Sequence, residues 1–228
     1  MPRQGRIAPG GIVYHVINRG VGRMTLFEGD PDYAAFERCL SSAQEAVPLA
    51  LFCYCIMPNH WHLVLRPQET GELGAFMQRL TLTHARRWQE HRSVHGTGHV
   101  YQGRYKSFPI QTNEHFFAVA RYVEGNAKRA GLVRRAENWQ WCSLQRRMNN
   151  TAGRPDETPR LNEWPTGIPP QWVRTVNAVQ SKAELEALRR SVNRGRPFGG
   201  DRWVKRITHE LALESTFRSR GRPRNDAG

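Results

Sequence analysis

Two apolar runs, Leu49 to Ile56 and Leu63 to Leu65, flank Met57-Pro58-Asn59-His60-Trp61-His62. The runs predict a pair of strands, with Pro58-Asn59 as the turn between them. Side chains alternate faces along a strand, so His60 and His62 point one way and Trp61 the other. Two neutral imidazoles held side by side on a rigid strand make half of a divalent-metal site. Two half-buried histidines, each satisfied by a neighbour, fit the same spacing. The spacing alone leaves both readings open.

The segments around this hairpin extend it into a fold. Gly11 to Asn18 predicts a first strand closed by Arg19-Gly20, and Asp30-Pro31 starts a helix with Tyr33, Phe36, Leu40 and Ala43 on its apolar face. A second helix is expected from Gly71 to Glu90, a short edge strand over Phe108-Pro109-Ile110-Gln111, and a third helix from Asn113 to Arg129 stopped at Gly131. His91, His95 and His99 sit beside Gly96 and Gly98 and read as loop residues rather than ligands. The order β-α-β-β-α-β is the split βαβ pattern, which predicts an α/β (α+β) domain over residues 1–148. Its sheet would be antiparallel and ferredoxin-like or RRM-like, with helices on one face. Residues 149–170 hold Pro155, Pro159, Pro165, Pro169 and Pro170 and read as a connector. Residues 171–228 read as a small helical, basic extension. It opens with the capping box Ser181-Lys182-Ala183-Glu184, has a stop at Gly195, and continues in a further helix capped by Asp201.

Charge narrows the partner. The 228 residues carry a net charge of +14, mostly from arginine. Residues 189–224 hold eleven Lys and Arg against three acids, and the first 27 residues hold four arginines and no acid. Arginine forks match phosphate geometry, so a polyanion is expected, most simply nucleic acid. No apolar run approaches the roughly 20 residues of a membrane helix. Nor does the start of the chain hold the apolar stretch of a secretory signal, so no membrane partner is expected and the expected location is cytoplasmic and nucleoid-associated. Cys39, Cys53, Cys55 and Cys142 contain no CxxC pair and read as buried free thiols.

On the third helix, Tyr122 and Asn126 are four residues apart and share a face, just off the stripe of Phe116, Ala120, Val123 and Ala127. Taken alone, a tyrosine there reads as packing. Taken with the hairpin, His60, His62 and the amide oxygen of Asn126 would bind a divalent cation, Mg2+ or Mn2+, with positions open for phosphate oxygens, and Tyr122 would supply a nucleophile.

Several stretches resemble the single-tyrosine HUH transposases, most closely the REP-associated tyrosine transposases of bacteria. They are Tyr14-His15-Val16 with Asn18-Arg19-Gly20, Met57 to Leu63, Gln102 to Ser107, Arg121 to Asn126 running on to Val133, Trp139 to Ser143, and Asn193 to Gly199. The resemblance implies that His60, His62 and Asn126 are metal ligands and that Tyr122 is the nucleophile. It further implies that the substrate is single-stranded DNA carrying hairpins, REP palindromes, cut to leave a 5′-phosphotyrosine and a free 3′-OH. Two departures stand out. Asn126-Ala127 replaces a common Asn-Pro, and Trp141-Cys142-Ser143 replaces Trp-Ser-Ser. The basic residues expected on DNA are Arg19, Arg104, Lys106, Arg194, Arg196, Arg220 and Arg222. The last four lie in two copies of Arg-Gly-Arg-Pro, of which the first also reads as a helix end capped by Gly195 and the second as a minor-groove contact. A monomer and a homodimer both fit.

Two rival readings remain at this point. A metal hydrolase of the amidohydrolase type would need more ligands and a barrel of ~250 residues. A domesticated, non-catalytic DNA- or RNA-binding protein would grip hairpins without forming a protein–DNA adduct.

Overall fold

The computed structural model describes residues 8–94, 96, 98–149 and 157–218. Four strands form one antiparallel sheet in the order β2-β3-β1-β4, with β1 at Val13–Arg19, β2 at Ala50–Met57, β3 at His60–Arg66 and β4 at Lys106–Ile110. This is the ferredoxin-like order that the sequence predicts. β2 and β3 form a hairpin whose turn is Pro58-Asn59, and Met57 pairs with His60. The turn is clamped from outside: the Gly20 amide donates to the Asn59 carbonyl, and those of Leu26 and Phe27 to the Pro58 carbonyl.

The period-two pattern sorts side chains between two cores. Tyr14, Val16, Trp61, Leu63 and Leu65 pack under α1 (Asp30–Ala46) and α2 (Glu72–His91). Val13, Ile17, Val64 and Phe108 face the other way, onto α3 (Glu114–Glu124). A bulge between Leu51 and Cys53 lets Phe52 and Cys53 both join this second core. Helices therefore cover both faces, not one. α1 and α2 are the expected ferredoxin-like pair. The second face is apolar as well and is closed by α3, by α6 (Trp172–Asn177) and by α7 (Lys182–Arg194).

α3 starts where expected, with the Asn113 side chain accepting from the His115 amide at 3.0 Å. A turn at Gly125 separates it from α4 (Asn126–Arg129). A Cβ on Gly125 would stand 2.9 Å from the Arg121 carbonyl, so the last turn of α3 itself favours glycine here. After α5 (Ser143–Asn149), the Pro-rich stretch has no helix or strand in its described part, yet it is tied along β2. Asn162 exchanges two hydrogen bonds with the Leu51 backbone, and the buried Trp164 indole donates to the Phe52 carbonyl at 2.9 Å. At the opposite edge, Phe198 exchanges bonds with Pro109 of β4 and with Gln111 just beyond it, ahead of α8 (Asp201–Glu210). Both sheet edges are thereby covered. All four cysteines are buried and free. Among the described residues no helix is long and apolar enough to cross a membrane.

Candidate active site

Alternation along β1 and β3 puts His15, Ile17 and Arg19 on the same face as His60 and His62, with Ile17 opposite His62 and Arg19 opposite His60. α3 and α4 cross this face. The result is a cavity of about 330 Å³ lined by His60, His62, Tyr122 and Asn126 together with Ile17, Arg19, Arg129, Ala130, Arg189, Val192 and Asn193. All four residues singled out for chemistry meet there. The seven expected DNA contacts divide. Arg19, Arg104 and Lys106 line an adjoining cavity of about 320 Å³ that shares Ile17, Arg19, Val192 and Asn193 with the first. Arg194 lies beside Lys106 and Ser107 in a different depression. Arg196 is held by the Thr216 and Phe217 carbonyls at 2.9 and 3.1 Å and stacks over the Phe217 ring. Gly195 is left-handed (φ 76°) and caps α7, so the first Arg-Gly-Arg-Pro copy is a helix end. Arg220 and Arg222 lie outside the described residues, as does His95.

The histidine rings are held by different partners. Nδ1 of His60 stands 2.6 Å from Oδ1 of Asn59, and Nδ1 of His62 stands 2.8 Å from Nε2 of His15. Nε2 of His60 is 3.4 Å from Nδ2 of Asn126. Burial lowers the His60 pKa to about 4, helped by the Arg19 and Arg129 charges. Burial likewise pushes His62 well below the usual range, with His15, His60, Arg129 and Arg19 adding to it. Both imidazoles are thus neutral at pH 7, the form a metal needs.

The amide of Asn126 is turned away from that role. Its Oδ1 accepts from Arg129 Nη2 at 3.0 Å, and its nitrogen faces His60. A half-turn of the amide would present the oxygen to the histidines at the cost of the Arg129 bond. Among the described residues no group of three His, Cys, Asp or Glu side chains could hold a metal ion. The groups that could hold one are the two imidazoles and, after that half-turn, the Asn126 amide oxygen.

Arg129 also donates to the Tyr122 carbonyl at 2.7 Å and lies over the Tyr122 ring, 4.2 Å from its centroid. The His62 ring meets Tyr122 edge-on at 5.8 Å. Between Tyr122 and Asn126, the fully buried Glu124 accepts from Ser143 Oγ at 2.5 Å and Trp172 Nε1 at 2.6 Å. Ser143 in turn bonds the Tyr54 backbone. Burial raises the Glu124 pKa against the opposing pull of Arg147.

Four site residues carry no role in the sequence reading. Arg129 was legible from its spacing of three residues to Asn126 on α4, although the single helix expected from Asn113 to Arg129 is broken by the turn at Gly125. His15 was legible by alternation with Ile17. Arg189 and Asn193 arrive on α7, and no local pattern announces that.

A family model described as IS200-like transposase matches residues 10–126. No curated protein matches the chain. Among solved structures, a REP-associated tyrosine transposase bound to a REP hairpin is 15% identical with a TM-score of 0.49, covering 73% of this chain and 96% of that one. A candidate transposase of Deinococcus radiodurans is 20% identical with a TM-score of 0.39, covering 52% of this chain and 91% of that one. The family match spans the whole sheet, the histidine hairpin, and α3 through Asn126: the chain belongs to the IS200-like transposase family.

Proposed function

We propose that this protein is a metal-dependent single-stranded DNA endonuclease and strand transferase that acts at REP-type hairpins, with Tyr122 as the nucleophile. The observation that carries the reading is the single cavity that holds His60, His62, Tyr122 and Asn126 among Arg19, Arg129 and Arg189. A divalent cation, Mg2+ or Mn2+, would be held by His60, His62 and Asn126 and would polarise the scissile phosphate. The guanidinium groups draw the phosphate in and balance its charge. Tyr122 Oη attacks phosphorus, a phosphotyrosyl bond forms, and the bond to the 3′ oxygen breaks. The electron pair leaves with that oxygen, and the phenolic proton passes to solvent. Religation is the reverse exchange, so no nucleotide triphosphate is consumed. The preference for REP-type hairpins rests on the motifs beyond the family model, Arg129 to Val133, Trp139 to Ser143 and Asn193 to Gly199, and on the basic surface that continues through Arg104 and Lys106.

The test is a labelled single-stranded hairpin DNA with a 3′ extension, incubated with Mg2+ or Mn2+ and resolved under denaturing conditions. The expected result is a protein-linked band that chelator abolishes and that Tyr122→Phe lacks while still binding the hairpin. Hairpin binding with no adduct from the wild type would instead identify a non-catalytic binder.

A further inference from the structure

His15 lies in the middle of the sheet, on the face of the site, opposite Val64 on one side and Phe108 on the other. Its ring stacks on Phe108 at 4.8 Å and is completely buried. One ring nitrogen, Nδ1, has no hydrogen-bond partner, and the other, Nε2, stands 2.8 Å from His62 Nδ1. A buried nitrogen without a partner destabilises the fold, and an aromatic hydrocarbon in this slot would avoid that loss. The one hydrogen bond the imidazole gains there is the contact with His62.

The neighbouring ligand candidate shows what such a contact does. Asn59 Oδ1 can only accept, so at 2.6 Å it fixes the His60 proton on Nδ1 and leaves Nε2 bare toward Asn126. A cation shared by both rings requires the same tautomer of His62. We propose that His15 is the positioning residue that supplies it: Nε2 of His15 accepts the Nδ1–H of His62, so that the unprotonated Nε2 of His62 faces the cavity. The proton of His15 itself then sits on Nδ1, the atom without an acceptor. This inference rests on the reading of His60 and His62 as metal ligands.

The tautomers can be measured without metal or DNA. In full-length protein with 15N-labelled histidine, long-range 1H–15N correlations at pH 7 are expected to show both His60 and His62 protonated on Nδ1. In His15→Phe, His62 is expected to move toward the Nε2–H form that a free imidazole prefers in water. The dissociation constant for Mn2+, read by electron paramagnetic resonance, should rise roughly ten- to a hundredfold, the usual effect of losing such an outer partner. His15→Gln, whose amide oxygen can accept, should recover much of both. A wild-type His62 protonated on Nε2 would overturn the proposal, as would unchanged Mn2+ affinity in a folded His15→Phe protein. Should His15→Phe fail to fold, the wild-type spectrum and His15→Gln decide. Loss of the metal reading shows separately, as His60→Ala and His62→Ala proteins that still cleave while the wild-type tautomers stay as expected.

Discussion

At the scale of single residues, the proposed function separates His60, His62 and Asn126, which would hold a cation, from the arginines, which would hold the DNA. His60→Ala or His62→Ala is expected to abolish adduct formation with little loss of hairpin affinity, because phosphate contacts by arginine dominate binding. Asn126→Ala should be milder, since water can replace one amide ligand; equal losses in all three variants would reject this division. The buried histidines also make stability depend on pH. Burial lowers His15 and His84 to about 3 and His60 to about 4. Their unfolded values are near 6.5, so below that pH the unfolded chain binds more protons than the folded one. Stability is therefore fully present above about pH 6.5 and is lost as pH falls toward the folded values, by up to ~1.4 kcal/mol per pH unit for each histidine. Urea unfolding at pH 7.0 and 5.0 should show a clear drop, and His84→Phe should flatten it; a pH-independent midpoint would contradict the assignment. The convergence of His60, His62, Tyr122 and Asn126 on one cavity was legible, because strand alternation and the spacing of four residues place them on facing surfaces. The orientation of the Asn126 amide was not, because Arg129 sets it from outside any spacing rule.

Among the elements, α3 and α4 position the tyrosine and the amide, and Glu124 anchors them. Its carboxylate ties the helix to Ser143, and through it to β2, and to Trp172 on α6. Glu124→Ala leaves the buried Trp172 indole N–H unpaired, while the Ser143 hydroxyl keeps its bonds to the Tyr54 backbone; this should cost about 2 kcal/mol in chemical denaturation. Glu124→Gln should cost less, since its amide oxygen still accepts one of the two bonds. Equal stability of wild type and alanine variant would show the network to be idle. The order of strands and helices up to α3 could be read from apolar periodicity and turn residues. The covering of the second face could not, because residues 149–170 are rich in proline and α6 is short. Trp164 and Trp172 were the overlooked signal: both are buried and pack at 4.9 Å on one another. Trp164 lies within the stretch read as a connector and Trp172 just beyond it, and a buried tryptophan is a poor match for a solvated spacer.

At the scale of the whole molecule, α7 brings Arg189 and Asn193 over the cavity, so the basic half of the chain completes the site that the N-terminal half begins. Residues 219–228, which hold Arg220 and Arg222, lie beyond that wall in sequence. Deleting them should weaken hairpin binding and lower the slope of log affinity against log salt by about one per lost phosphate contact, with the adduct still formed at saturating DNA. Retaining Thr216 and Phe217 keeps the Arg196 contacts. An unchanged salt slope would remove the second Arg-Gly-Arg-Pro copy from the DNA surface. Attack of Tyr122 on the scissile phosphate inside the histidine-lined cavity can be measured directly. Wild-type protein is trapped on hairpin DNA with Mn2+, the DNA is digested to its terminal nucleotide, and the peptides are sequenced by mass spectrometry. A nucleotide 5′-phosphate is expected on the peptide containing Tyr122 and on no other; the modification on Tyr101, Tyr105 or any serine, with Tyr122 bare, would overturn the assignment of Tyr122 as nucleophile.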